Sequence, residues 1–572
     1  MGRKRKGMPA AARARRHPRD ETGMGPKARS RFRPAPLGPA QWLLASAGIA
    51  ALALLVNLPT LSYQFLSWDD SWYVTQNPWI RGWSSENLRH IFTEPYFVSY
   101  MPLQLVSYMV DYGFWGLKPF GYHLQQILLH ALDSVLAFVL VRRLFGRFWL
   151  AAIAGLLFAA HPSHVEAVAW VSARKDVLSA AFLLPAVYLY VKSRSGEGRL
   201  RRWTYLASLA LFALAVLTRV NVIVAPLFLV LVDIVSLRPA RRGSTAWFRI
   251  LVNKVPYAAI GIGIAVVNWV VQPKTNASYA RDPLRYLMLK GHAAWDYFGI
   301  LTGIPRQNPI YDTPRITLDA LSMAIYLAGL LLLPALFWLG YRRRDRVLAL
   351  GAGWIFVMLL PALFFPVLTY IADRYLYLPS LGFCWLLAAA VLALSAGMKP
   401  RAVHAATAVL LTGALTAFFA MRTARYNRVW ANSESLWSYT IEASRDFRAY
   451  NNLARVRMEQ QRWDDAVRLF KLGSRQANVT SWDGLTAVYY KTGRLAEALQ
   501  ANDKAFEMHA LRGEEDPVES AELRYKRGAI LMAQSQTAKA IELFEAALGL
   551  NPRHPDARKM LDFARQAAAQ NR

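Results

Sequence analysis

The chain has 572 residues, 55% of them hydrophobic and 18% charged, with a mean hydropathy of +0.18. A soluble globular protein carries roughly a quarter charged residues, so the composition argues against a wholly soluble chain and asks for a membrane part joined to a polar one. The formal net charge is +31, and the single cysteine, Cys384, excludes a disulfide framework or a cysteine zinc site built within the chain.

Residues 1–40 read as a basic, disordered cytoplasmic tail. Arg3, Lys4, Arg5, Lys6, Arg13, Arg15, Arg16 and Arg19 lie in a stretch rich in Arg, Pro, Ala and Gly, with no apolar period. Nucleic-acid binding is the competing reading of such a tail. The reading adopted is a tail and loops that obey the positive-inside rule, with no nucleic-acid partner.

Residues 41–425 are expected to form a transmembrane domain. The first apolar run, about 41–61, is read as an uncleaved helix, because its basic flank is too long for a signal peptide and no small-residue cleavage site follows. Further runs lie near 122–145, 148–161, 176–193, 203–219, 221–237, 255–272, 319–340, 346–366, 376–396 and 402–421. Several reach the ~20 residues a bilayer crossing needs. Alternate loops are basic: Arg142, Arg143 and Arg147; Lys192, Arg194, Arg199, Arg201 and Arg202; Arg238, Arg241, Arg242 and Lys254; Arg342, Arg343, Arg344 and Arg346; Lys399 and Arg401. The pattern predicts about eleven spans, a cytoplasmic N-terminus and a C-terminal domain in the periplasm or an equivalent lumen. Two long segments, 62–122 and 272–317, then fall on the outer side.

Residues 430–572 repeat with a period near the ~34 residues of tetratricopeptide units. Tyr450, Leu453, Ala454, Ala466, Phe470 and Gly473 mark the first unit. Trp482, Leu485, Tyr489, Gly493, Ala498 and Ala505 mark the second; Gly528, Leu531, Ala540, Phe544, Ala547 and Pro552 the third. Asn502 stands where a large apolar residue is expected, and residues 507–520 are inserted after it. Such stacks offer a concave surface to an extended peptide.

Three polar clusters share the outer side. Ser67-Trp68-Asp69-Asp70 puts paired carboxylates at the membrane surface, where one could serve as general base; the alternative is a helix-end aspartate pair. His161-Pro162-Ser163-His164-Val165-Glu166 precedes Arg174-Lys175-Asp176. Its histidines and Glu166 suit hydrogen bonding to a substrate, or loosely a metal, and the two cations suit a lipid phosphate or snorkelling. Ala372-Asp373-Arg374-Tyr375 opens another helix, with Arg374 a fork for phosphate or a helix-cap partner.

These residues, in this order and spacing, resemble the transmembrane and tetratricopeptide-repeat O-mannosyltransferases and their bacterial relatives, within the GT-C class of lipid-linked-sugar glycosyltransferases. The resemblance covers most of the chain after Gln41. It is carried by Asp69-Asp70 with Asn77-Pro78, Tyr100-Met101-Pro102-Leu103, Tyr122-His123, His130, His161 to Val168, Arg174 to Asp176 and Ala372 to Ser380. Relatives usually have Arg-Pro at Met101-Pro102 and Ser-Lys-Glu at Thr218-Arg219-Val220. Arg219 keeps the positive charge; the lost acid leaves that position's role, and the donor, open.

The resemblance implies an all-α fold: a polytopic GT-C-type membrane domain followed by a tetratricopeptide-repeat α-solenoid. It implies inverting transfer of a sugar, a hexose such as mannose, from a polyprenyl-phosphate donor to a hydroxyl acceptor, at the outer face of the inner membrane. Asp69 or Asp70 would be the base, with Asp69 preferred. His164, Glu166 and His123 would orient acceptor or sugar. Arg174, Lys175, Arg374 and Arg219 would hold the lipid phosphate. Some GT-C enzymes need a divalent metal and others do not; if one is needed here, Asp69 and Asp70 would bind it. The implied partners are the donor, membrane lipids and an acceptor protein or peptide held by the repeat domain. The alternatives are a catalytically inactive membrane scaffold and a lipid-linked glycan transporter, each with a peptide-binding repeat domain.

Overall fold

A computed structural model of the chain describes residues 38–570 apart from 98, 196, 238–243, 272–281, 365–368, 399 and 513–515. The predicted basic tail lies almost wholly outside the described residues, as do Arg238, Arg241, Arg242 and Lys399 of the basic loops and the start of the 272–317 segment. Among the described residues every regular element is helical, and the one β-bridge, Tyr96 with Ser99, stands alone.

The chain begins with α1 (Pro39–Asn57), α2 (Ser85–Thr93), α3 (Pro102–Trp115), α4 (Pro119–Phe145) and α5 (Phe148–Ala159). It continues through the short α6 (Val165–Ala169), α7 (Arg174–Ser193), α8 (Gly198–Thr218), α9 (Ala225–Leu237), α10 (Ser244–Val252) and α11 (Val255–Val271). Then come α12 (Pro283–Leu301), α13 (Ala320–Arg343), α14 (Arg346–Phe364), α15 (Pro379–Ala396) and α16 (Arg401–Asn427). Among the described residues eight helices are long and apolar enough to cross a membrane, or nine if α5 and the bent segment after it form one span. Two shorter apolar helices, Val220–Ser236 and Val255–Val270, complete the eleven predicted apolar runs.

The local chemistry sets these boundaries. Pro119 starts α4, where its missing N–H costs nothing, and left-handed Gly146 (φ 74°) ends it, donating to the Arg142 carbonyl. α5 is apolar all round and accordingly buried on most sides, between α1, α4 and α15. The chain bends by 50° between Ala159, where α5 ends, and Pro162, which starts the next helical turn. Phe138, Leu157, Trp354, Cys384 and Trp385 fill the bundle core.

The predicted outer segment 272–317 contains a further helix that the sequence pattern did not reveal, α12. Asp282 caps α12, accepting from the Arg285 N–H at 3.0 Å. The helix meets α13 at closest approach where both carry glycine: a Cβ on Gly291 would come within 2.3 Å of the Tyr326 carbonyl oxygen. Lys290, His292 and Asp296 interrupt its apolar pattern. Lys290 donates to the Ala362 carbonyl at 3.1 Å, and His292 and Asp296 share the Tyr370 hydroxyl at 2.7 Å each.

The C-terminal region is a stack of helices: α17 (Ser433–Ala443), then pairs α18 (Phe447–Glu459) with α19 (Trp463–Gly473), α20 (Val479–Lys491) with α21 (Leu495–Leu511), α22 (Pro517–Ala533) with α23 (Thr537–Leu550), and α24 (Ala557–Gln570). Ala466, Phe470, Ala498, Ala540, Phe544 and Ala547 are buried between them. Asn502 is also buried, its amide donating to the Leu523 carbonyl at 3.2 Å, so the polar residue bridges α21 to α22. α17 docks on the membrane part. Ser67 N–H donates to Ser433 Oγ at 2.7 Å, Tyr439 donates to the Gln307 carbonyl at 2.9 Å, and Arg306 pairs with Glu442 at 2.8 Å.

Candidate functional site

One end of the bundle gathers all three predicted clusters. Asn427 at the end of α16 donates to Asn57 at the end of α1, and Thr423 to the Ala160 carbonyl after α5. His164 meets Ser380 at the start of α15, and Arg219 after α8 pairs with Asp176 at the start of α7. The side chains nevertheless divide sharply in what they touch.

Asp70 is fully buried. Its Oδ2 accepts the Leu66 N–H at 2.9 Å, and its Oδ1 accepts the Ser172 N–H at 2.9 Å as well as the Ser172 hydroxyl. Both oxygens are therefore engaged in tying the 63–70 loop to the segment before α7. Burial pushes this carboxyl up to about 6 despite those donors. Asp69 is half-buried and makes no hydrogen bond or ion pair among the described residues. Burial raises its proton affinity; the charges of Lys175 and Arg374 act against the rise. Lys175 lies 5.7 Å from the Tyr73 ring.

Arg174 and Lys175 are neighbours with opposite fates. Successive residues of a helix are rotated by about 100°, and here Arg174 turns inward. Its guanidinium is fully buried. It pairs with Asp111, donates to Gln126 at 3.0 Å and the Tyr122 carbonyl at 2.7 Å, also contacts Gln125, and lies 4.7 Å from the Tyr108 ring. The expectation that Arg174 holds a lipid phosphate is corrected: its donors are already taken inside the protein.

Arg374 presents a different picture. Its backbone N–H donates to Glu166 at 2.9 Å and its guanidinium pairs with the same carboxylate. The guanidinium also lies against the Trp170 and Tyr375 rings, at 5.5 and 5.1 Å. Glu166 is 1% exposed, so it braces Arg374 rather than facing a substrate. Asp373 accepts from Tyr311 at 2.7 Å and Gln307 at 3.2 Å; burial and the Glu166 charge hold its carboxyl well above the usual range.

The histidines are joints too. His164 meets Ser380 Oγ at 2.7 Å, His161 meets the Leu301 carbonyl at 3.0 Å, and His130 meets Tyr377 at 2.9 Å. His123 is buried with its ring edge-on to Tyr63, 6.2 Å away. None of these rings lines the cleft described next, so the expected substrate-orienting roles of His123, His164 and Glu166 find no open face.

A cleft opens beside Arg374. Its polar side is Asp176, Ser179, Arg219, Asn221, Arg374 and Tyr375; Val222, Met358, Pro361 and Ala362 supply an apolar side. Arg219, paired with Asp176, lies 5.5 Å from the Tyr375 ring. Two guanidiniums above an apolar wall suit a phosphate carried on a hydrocarbon chain. Arg374 belongs both to this cleft and to the surroundings of Asp69.

Metal binding by the aspartate pair does not fit this geometry, since both Asp70 oxygens already accept protein donors. Among the described residues no three His, Cys, Asp or Glu side chains gather as a metal ligand set. Sequence reading missed Asp111 and Ser172, the partners that decide the fates of Arg174 and Asp70. Asp111 carried a signal, an acid within an apolar helix; Ser172 carried none.

No family model matches the chain. It is 26% identical over 422 residues to a protein O-mannosyl-transferase of Caenorhabditis elegans, covering 69% of this chain and 58% of the relative. Human protein O-mannosyl-transferase TMTC1 is 25% identical over 507 residues, covering 78% and 56%. The human protein O-mannosyl-transferase TMTC3 is 40% identical over a shorter stretch of 120 residues, 21% of this chain and 13% of the relative. The chain spans about half the length of the curated relatives it matches most extensively. Among solved structures, apo ArnT from Cupriavidus metallidurans aligns with a TM-score of 0.38 and 17% identity over 67% of this chain and 76% of its own.

Proposed function

We propose that this chain is a glycosyltransferase that moves a hexose from a polyprenyl-phosphate donor to a hydroxyl of an acceptor protein. The observation that carries the reading is Asp69: a carboxylate with no hydrogen bond or ion pair among the described residues, within the field of Lys175 and of Arg374, which also lines the cleft with Arg219. Its similarity to protein O-mannosyl-transferases supports the same chemistry. The donor phosphate would lie between Arg219 and Arg374, with its lipid along Met358, Pro361 and Ala362. Asp69 removes the acceptor hydroxyl proton as that oxygen attacks the anomeric carbon from the face opposite the phosphate. The sugar–phosphate C–O bond breaks, its electron pair stays on the phosphate oxygen, and the anomeric configuration inverts. The guanidiniums stabilise the charge gathering on that phosphate. Asp70 and Arg174 hold the frame, and Glu166 positions Arg374.

The described basic-loop residues, among them Arg142, Arg143, Arg194, Arg342 and Arg343, lie at the other end of the helices, which supports an inner-membrane orientation with the site and the helix stack on the periplasmic side. Acceptor protein would reach the site across the stack, since α17 is joined to the loop that carries Asp69.

The test is transfer of labelled hexose from synthetic polyprenyl-phosphate-mannose or -glucose to periplasmic protein by the purified full chain. A scaffold shows no transfer; a transporter moves the lipid-linked sugar across a bilayer without joining it to protein. The pH profile adds a second check. A base whose pKa is raised is protonated at low pH, so kcat/KM should climb as pH rises through the shifted Asp69 value and then level. A profile that falls over that range would refute the base. Arg219→Gln should raise the donor KM by about tenfold, the loss expected for one charge-assisted contact, with acceptor KM unchanged; an unchanged donor KM would remove Arg219 from the phosphate site.

A further inference from the structure

The geometry points to a second phosphate-binding site, at the opposite end of the bundle, for an anionic headgroup. The pocket lies where α7 ends, α8 begins and α11 begins, and is lined by Tyr190, Ser193, Arg194, Gly198, Arg201, Arg202, Tyr205 and Asn253. From Asp176 in the first cleft to Arg194 here, α7 climbs about 27 Å at 1.5 Å per residue. That is close to the ~30 Å hydrocarbon thickness, so the two pockets serve opposite membrane surfaces.

Its base is a built charge cluster. The Asp233 carboxylate is fully buried and accepts from Tyr190 at 2.6 Å and from Arg194 Nε at 3.2 Å, and it pairs with Lys254. Two cations therefore share one carboxylate. Arg194 is only 6% exposed, meets Asp233 through its Nε and lines the pocket. Arg201 and Arg202 line the pocket near the start of α8, with Glu197 the acid beside them.

The start of α8 adds a second, independent feature. No side chain caps this 21-residue helix at Glu197. The first N–H groups of a helix and the positive end of its dipole attract an anion. Left-handed Gly198 (φ 51°) sets the turn, and no atom lies within 4 Å of where its Cβ would be. Tyr190 and Tyr205 give the site aromatic walls. Excess positive charge, a helix start and a position at the membrane boundary together suit a phosphate, either on an acidic lipid or free in solution.

Native mass spectrometry of the full chain, released from nanodiscs of phosphatidylglycerol or of phosphatidylcholine, tests this. The wild type should retain phosphatidylglycerol preferentially, and R201Q/R202Q should retain at least about tenfold less. These arginines do not brace Asp233, so the fold should persist. Asn253→Asp, which puts an acid into the pocket without touching the arginines, should weaken retention too. Millimolar inorganic phosphate separates the sources: a lipid site keeps its lipid, whereas a free-phosphate site binds the ion, and does so less in R201Q/R202Q. Equal retention of both lipids with no phosphate binding, or full retention by both variants, would overturn the site. The outcome is independent of sugar transfer, which uses the other end of α7.

Discussion

Asp69→Asn should lower the turnover of sugar transfer by about 10²–10⁴-fold, the usual range for losing a positioned base, and leave thermal stability unchanged. The asparagine matches the aspartate in shape, and the carboxylate it replaces has no hydrogen-bond partner to lose. Asp70→Asn should do the reverse. Two backbone N–H groups and the Ser172 hydroxyl converge on the Asp70 oxygens. An amide offers one acceptor oxygen and points its NH₂ at a donor, leaving at least one buried N–H unsatisfied. That costs ~1–3 kcal/mol, read as a lower melting temperature in detergent. Activity of whatever Asp70→Asn protein remains folded should stay within a few-fold of wild type. A stable but inactive Asp70→Asn variant beside a fully active Asp69→Asn variant would transfer the base to Asp70.

The contrast between these adjacent acids shows where sequence reading stops. Apolar runs were legible because membrane helices announce themselves by composition alone. α12 was not, since Lys290, His292 and Asp296 break its apolar pattern, and its fit depends on Gly291 meeting Gly329 of another helix. The polar clusters were legible as a group, because topology places them at one end. Their individual roles were not. Which aspartate stays free is decided by Ser172, 102 residues away, and which of Arg174 and Lys175 stays accessible by a turn of helix against Asp111. At Thr218-Arg219-Val220 the absence of an acid looked like a missing function. In the folded chain Asp176 is the counter-ion of Arg219, so the cleft retains a paired guanidinium.

Arg174→Gln is the second change with a large expected effect, and stability is where it should appear. Removing the guanidinium strands the Asp111 carboxylate in a buried site and strips partners from Gln126 and the Tyr122 carbonyl. Breaking a buried pair on one side typically costs ~3–5 kcal/mol. Asp111→Asn should be comparably harmful, because it leaves the guanidinium without its counter-charge. The double variant R174Q/D111N should then be less destabilised than the sum of the singles, since neither strands a charge in the other's absence. Arg219→Gln differs in its readout: it also strands a buried acid, Asp176, and so lowers the melting temperature, but it raises the donor KM as well, which Arg174→Gln does not, and it shows no coupling to Asp111. Melting curves for the three variants, set against donor KM for Arg219→Gln, therefore separate the arginine that holds the fold from the arginine that holds the donor.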